Sequence, residues 1–112
     1  GMETKTQPGH VENVAAAEFQ SRLAEDSAAF LLDVRTPAEF NAGHLPNAIN
    51  LDVLDDCFNT AVSDLDKTKT YFVYCRSGGR SGQACLCMAD QGFAVINLRG
   101  GINSWTGEIV SV

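Results

Sequence analysis

The chain has 112 residues, of which 45% are apolar and 20% charged, an ordinary composition for one globular domain and too short for two. Eight Lys and Arg against fourteen Asp and Glu leave a net charge of −6. That balance argues against a nucleic-acid binder, and it means that any anionic substrate has to be drawn in by a local positive field. A chain of this size buries about two thirds of its unfolded surface, so one core forms without disulfide staples.

In chain order, residues 1–10 are expected to be a loose tail, with 11–112 as a single domain. Gly1 ahead of Met2 reads as a tag remnant, and the polar stretch Met2 to His10 lacks the apolar centre of an export signal. No apolar run approaches a membrane span. The four cysteines, Cys57, Cys75, Cys85 and Cys87, are therefore expected to be reduced thiols in the cytoplasm.

Val11 to Val14 is a predicted short strand. Ala15 to Glu25 is a predicted helix, with Ala16, Phe19 and Leu23 forming its apolar stripe. Phe30 to Val34 is a nearly unbroken apolar run, the pattern of a strand covered on both faces in a parallel sheet. Thr36-Pro37-Ala38-Glu39 carries a capping box and a first-turn proline. Gly43 and Pro46 bracket a turn before a strand at Ala48 to Leu51, and a short helix is expected around Asp55 to Leu65.

Tyr71 to Tyr74 is fully apolar and belongs at the centre of the sheet. Arg80 to Gln91 is a predicted helix with Ser81, Ala84, Cys85 and Met88 on one face. Phe93 to Leu98 is a strand, Gly100-Gly101 a turn, and Ile102 to Thr106 a last helical piece. Strands alternating with helices predict an α/β fold with a mainly parallel sheet.

The chemistry concentrates where the central strand ends: Tyr74-Cys75-Arg76-Ser77-Gly78-Gly79-Arg80-Ser81. Ligand sites in open parallel sheets lie beyond the carboxyl ends of the strands. Gly78 and Gly79 let the loop curl so that several N–H groups point inward, and the helix that follows adds its positive end. With Arg76 and Arg80 beside it, Cys75 is expected to be a thiolate at lower pH than a free cysteine, and hence a poised nucleophile. The bland alternative, a small buried hydrophobe before a plain turn, does not account for glycines and arginines in that order.

Three ordered segments carry a family resemblance. Asp33-Val34-Arg35 with Glu39-Phe40 and Gly43-His44-Leu45-Pro46-Asn47-Ala48 resembles the first signature of rhodanese-like domains. Tyr74 to Ser81 resembles their active-site loop, and Leu98-Arg99-Gly100-Gly101-Ile102 with Trp105 is similar to their closing motif. Asn47 departs from the pattern, since the family usually has Gly there.

The resemblance implies a rhodanese-like fold, with a central, mainly parallel five-stranded sheet flanked by helices on both faces. It also implies sulfurtransferase activity, in which a Cys75 persulfide carries sulfur from thiosulfate or a related small anionic donor to a thiol or protein acceptor. Substrate would be held by Arg76, Ser77, Gly78, Gly79, Arg80 and Ser81. No metal or organic cofactor, nucleic acid or membrane is expected.

Cell-cycle-type dual-specificity phosphatases share the implied fold but need a Cys followed by five residues and then Arg. Here Arg80 comes one residue early and Ser81 takes that place, so the loop from Cys75 to Arg80 fits the smaller sulfane sulfur. Two further alternatives are a non-catalytic binding module and a thiol redox protein that pairs Cys75 with Cys85 or Cys57.

Other chemically suggestive residues have structural explanations. Arg35 and Glu39 are close enough in sequence to pair and pin the strand-to-helix turn. His44 is expected to bond backbone, Cys85 to pack inward, and Trp105 to anchor the carboxyl-terminal end of the core. Cys-x-Cys at Cys85 and Cys87 lacks the further ligands of a zinc site.

Overall fold

The computed structural model describes residues 6–112. Five strands form one sheet in the order β1-β5-β4-β2-β3. They are β1 (Val11–Val14), β2 (Phe30–Asp33), β3 (Ile49–Asn50), β4 (Thr70–Tyr74) and β5 (Ala94–Leu98). All four strand pairings are parallel, and β4 lies at the centre between β5 and β2. Parallel pairing places every carboxyl end along one edge, so Asp33, Tyr74 and Leu98 finish side by side.

The connecting helices are α1 (Ala16–Glu25), α2 (Pro37–Ala42), α3 (Phe58–Ser63) and α4 (Gly79–Asp90), followed by a 3-10 turn at Gly101–Ser104. They cover both faces because β2, β4 and β5 send apolar side chains to each side in alternation. On one face Leu32, Val73, Cys75 and Val95 meet Ala84, Cys85 and Met88 of α4 and Phe58 and Val62 of α3. On the other, Leu31, Phe72, Tyr74, Ile96 and Leu98 meet Phe19 of α1, with Phe40, Ile102 and Trp105 at its margin. Phe19 meets Phe72 edge-on at 5.4 Å and Trp105 at 6.3 Å, favourable aromatic geometries that tie α1 to the sheet and to the carboxyl-terminal segment.

Several sequence expectations need correction. Residues 1–5 of the expected loose tail lie outside the described residues, but residues 6–10 are tied down. The Gly9 N–H donates to the Phe93 carbonyl at 2.9 Å, the His10 carbonyl accepts from Val95 N at 3.2 Å, and Thr6 bonds Glu12 and Arg22. The helix expected around Asp55 to Leu65 covers only Phe58–Ser63. Asp52 and Asp55 each accept a bond from the amide two residues ahead, which holds the flanking chain in turns rather than helix. Gly43 ends α2 rather than opening a turn. The turn itself falls at Pro46-Asn47, with Asn47 at φ +69°, a conformation asparagine adopts more readily than most residues.

Thr36 and Glu39 form the predicted capping box at the start of α2. The pairing of Arg35 with Glu39 does not occur. Arg35 folds back on Asp33, two residues earlier on the same side of the strand. Its Nη2 lies 2.7 Å from Asp33 Oδ2, and its Nε lies 3.1 Å from each carboxylate oxygen. Arg35 Nη2 also donates to the Gly43 carbonyl at 2.6 Å, and Asn50 Nδ2 donates to the carbonyls of Asp33 and Arg35.

This cluster locks the ends of β2, α2 and β3 together behind the carboxyl edge. The Asp33 side chain is fully buried and Arg35 nearly so. Removing one partner therefore strands a charge in the interior. Asp33→Ala is expected to cost about 3–5 kcal/mol of unfolding free energy in urea denaturation; a loss below about 1 kcal/mol would show that the pair does not brace this edge.

Candidate active site

Cys75 is the first residue past β4 and is 1% exposed. Its position follows from two anchors on the chain around it. The Val34 N–H donates to the Tyr74 carbonyl at 3.1 Å, which carries the β2–β4 pairing to the end of the strand. Beyond that, the Cys75 carbonyl accepts from Ile102 N at 2.8 Å and the Arg76 carbonyl from Asn103 N at 3.1 Å. A planar trans peptide directs its N–H opposite its C=O. Fixing the Arg76 carbonyl on the 3-10 turn therefore turns the Ser77 amide toward the sulfur.

Gly78 continues the curl at φ +109°, in the left-handed region open to glycine, and its N–H donates to Cys75 Sγ at 3.0 Å. Gly79 is not needed for the curl. It is the first residue of α4, and a Cβ there would meet open space. The first turn of α4 then brings Ser81, whose hydroxyl lies within reach of the Gly78 carbonyl at 3.3 Å and of Sγ. When the sulfur is ionised, it is the stronger acceptor of the two.

Burial alone pushes the Cys75 thiol up. Hydrogen bonds from the Ser81 hydroxyl and from the amides of Ser81, Gly78 and Ser77 outweigh it, and the net shift is downward. The site is thus an anion cradle built of backbone donors at a helix start.

The two loop arginines do different things. The Arg80 guanidinium is held by Glu39, with Nη1 2.7 Å from Oε1 and Nη2 2.9 Å from Oε2. This bidentate bond, with Thr36 behind it, holds the Glu39 carboxyl down to about 2. Arg80 is therefore tied to α2 by two of its guanidinium nitrogens. Arg76 is 67% exposed at the rim of the loop, with Nε 3.8 Å from Glu39.

The remaining candidates stand apart. His44 Nδ1 donates to the Phe40 carbonyl at 2.7 Å, and its ring stacks on Phe40 at 3.7 Å, as a structural histidine does. Cys85 packs beneath the sheet on α4, where burial, with the nearby Cys75 charge, pushes its thiol up to about 12. It stays protonated at neutral pH, which weakens the redox alternative. Cys87 lies against Asn59 at 2.8 Å and Cys57 is exposed. Among the described residues no group of three metal-ligating side chains converges. A cavity of about 690 Å³ lies at the opposite, amino-terminal edge of the sheet, lined by residues such as Arg22, Lys67 and Lys69. Its lining contains no cysteine or histidine.

Two residues carry more than their local sequence suggests. Sequence spacing pairs Glu39 with Arg35, and only the tertiary fold brings Arg80 to it across 41 residues. Gly101 looks in the sequence like a turn glycine. Its φ is +61°, and a Cβ there would meet the Arg76 carbonyl carbon and oxygen and the Cys75 oxygen at 2.5 Å each. Its signals in the sequence are the consecutive Gly100-Gly101 pair and its place in the segment Leu98 to Ile102.

Comparison with known proteins bears on the family and the fold. The model of the rhodanese-like domain family matches residues 15–108. A sulfurtransferase of Allochromatium vinosum is 38% identical over 96 residues, covering 85% of this chain and 88% of that protein. A putative sulfurtransferase of Bacillus subtilis is 33% identical over 98 residues, covering 88% and 93%. A rhodanese-related protein of Thermoplasma volcanium superposes with a TM-score of 0.78 at 28% identity, covering 88% of this chain and 97% of that one.

The contacts at Gly101 generate a contrast. Gly101→Ala forces backbone apart and is expected to cost about 2 kcal/mol or more and to slow alkylation of Cys75 near neutral pH about tenfold. Gly79→Ala, with room for its methyl, is expected to match the wild type in urea denaturation and in iodoacetamide kinetics. Equal behaviour of the two variants would show that the clamp at Gly101 does not shape the loop.

Proposed function

The chain belongs to the rhodanese-like family of sulfurtransferases, and from that premise we propose that it moves a sulfane sulfur from a small anionic donor such as thiosulfate to a thiol acceptor through a persulfide on Cys75. The observation that carries this reading is the hydrogen bond from the Gly78 amide to Cys75 Sγ at 3.0 Å at the start of α4, where Ser77 and Ser81 also favour the charged sulfur.

In the first half-reaction the Cys75 thiolate attacks the outer sulfur of thiosulfate. A new S–S bond forms, the S–S bond of the donor breaks, and sulfite leaves with that electron pair. Cys75–S–S⁻ remains, so the total charge of −3 is conserved. In the second half-reaction an acceptor thiolate attacks the outer sulfur, and Cys75 leaves as a thiolate again. Atoms and electrons balance between the two sulfur compounds.

The cradle acts on both steps. A sulfur held as an anion is ready to attack without a separate base, and the same donors stabilise Cys75 as a leaving group. Cys75 is buried, while the outer sulfur of a persulfide extends about 2 Å further toward the mouth, where an acceptor reaches it. Arg76, exposed at the rim, is the side chain that meets the anionic donor, because Arg80 is occupied by Glu39. Between turnovers Cys75 has to remain reduced, which suits a reducing compartment such as the cytoplasm.

Incubating the protein with thiosulfate in the absence of reductant, followed by intact mass measurement, tests the proposal. The expected result is a gain of one sulfur atom that a thiol acceptor removes and that Cys75→Ala abolishes. A wild-type protein that takes up no sulfur, or a Cys75→Ala variant that still does, would overturn it.

A further inference from the structure

We propose that Glu39 is a positioning residue for the sulfur site: by gripping Arg80 at two points it holds the first turn of α4, so that the amides of Gly78 and Ser81 stay aimed at Cys75 Sγ. This deepens the sulfur-transfer reading and rests on it.

The first turn of α4 needs such a brace. It runs Gly79-Arg80-Ser81-Gly82 behind Gly78, and no side chain caps it. Three glycines in five residues carry the greatest backbone freedom the chain has, at the point where donor directions matter most. Ser81 is buried with its hydroxyl against the Gly78 carbonyl at 3.3 Å, which leaves Arg80 as the side chain of this turn that ties it to another element.

Glu39 is a suitable anchor because its carboxylate is itself fixed. Oε1 accepts from Thr36 N at 3.2 Å and Thr36 Oγ1 at 3.1 Å, and α2 is tied to β2 through Gly43 and Arg35. The bidentate geometry restrains the guanidinium in orientation as well as distance, and both side chains are under one third exposed.

The sign of one measurement separates positioning from simple charge. The ionisable groups that bear on Cys75 and Arg80 are Arg76 from the loop, Glu39 from α2, Asp52 from the segment after β3, and Cys85 from α4. Glu39→Gln removes a negative charge and frees Arg80, which by charge alone would make Cys75 ionise at lower pH. Loosening the turn would make it ionise at higher pH, because the amide donors lose their aim. Gln still reaches back to the Thr36 amide, so α2 keeps its cap.

The test is the pH profile of iodoacetamide alkylation of Cys75 in the full chain, read by peptide mass. For Glu39→Gln we expect the midpoint to rise, with the thiolate fraction at pH below both midpoints falling about 3- to 10-fold. Glu39→Asp keeps the charge with a shorter reach and should give a smaller rise. A midpoint for Glu39→Gln that is unchanged or lower, with a wild-type urea transition, would overturn the proposal. Should that variant not fold, an unchanged midpoint in Glu39→Asp would do so. Alkylation needs no sulfur donor: a wild type that fails to take sulfur from thiosulfate contradicts the transfer reaction, while the Glu39 result still reports on the loop.

Discussion

Two backbone hydrogen bonds, from Ile102 N to the Cys75 carbonyl and from Asn103 N to the Arg76 carbonyl, set the direction of the chain where it leaves the central strand. Because peptides are planar, holding carbonyls on the 3-10 turn leaves the amide side of the loop facing the sulfur. Gly101 makes this possible by bringing the backbone of that turn against Cys75 and Arg76, where a side chain would not fit. The cradle is thus formed from outside, by the 3-10 turn that follows β5. The thiol gains its acidity from donors aimed in advance rather than from a neighbouring base.

Around that contact the carboxyl edge of the sheet is organised in two tiers. The lower tier is buried: Asp33 and Arg35 neutralise each other, and Asn50 and Gly43 take up their backbone and guanidinium partners. It fixes where β2, α2 and β3 end. The upper tier, Glu39 with Arg80 and Thr36, is partly exposed and links α2 on one face of the sheet to the start of α4 on the other. The two carboxylates that look interchangeable in the sequence serve separate frames.

Much of the architecture was legible because it depends on local pattern. The alternating apolar runs fixed strand order in sequence, the capping box at Thr36 located α2, and Ser81, Ala84, Cys85 and Met88 identified the buried face of α4. Cys75 and its loop were legible as a strand, a cysteine, glycines and a helix in that order. What escaped was what depends on long-range geometry. Whether Arg35 binds Asp33 or Glu39, and whether Arg80 faces the substrate or a carboxylate 41 residues away, are decided by how the edges of the sheet meet. The shortening of α3 was local in cause, yet competition between aspartate side chains and the helix is a balance that composition alone does not settle.

The account stands on the ionisation of one sulfur. Its most direct measurement is the ultraviolet thiolate absorbance of the wild type minus that of Cys75→Ser, followed across pH. The account predicts a transition for Cys75 clearly below the value of about 8.5 for a free cysteine. A transition at or above that value would contradict it, because the amides around the loop would then not be favouring the charged form.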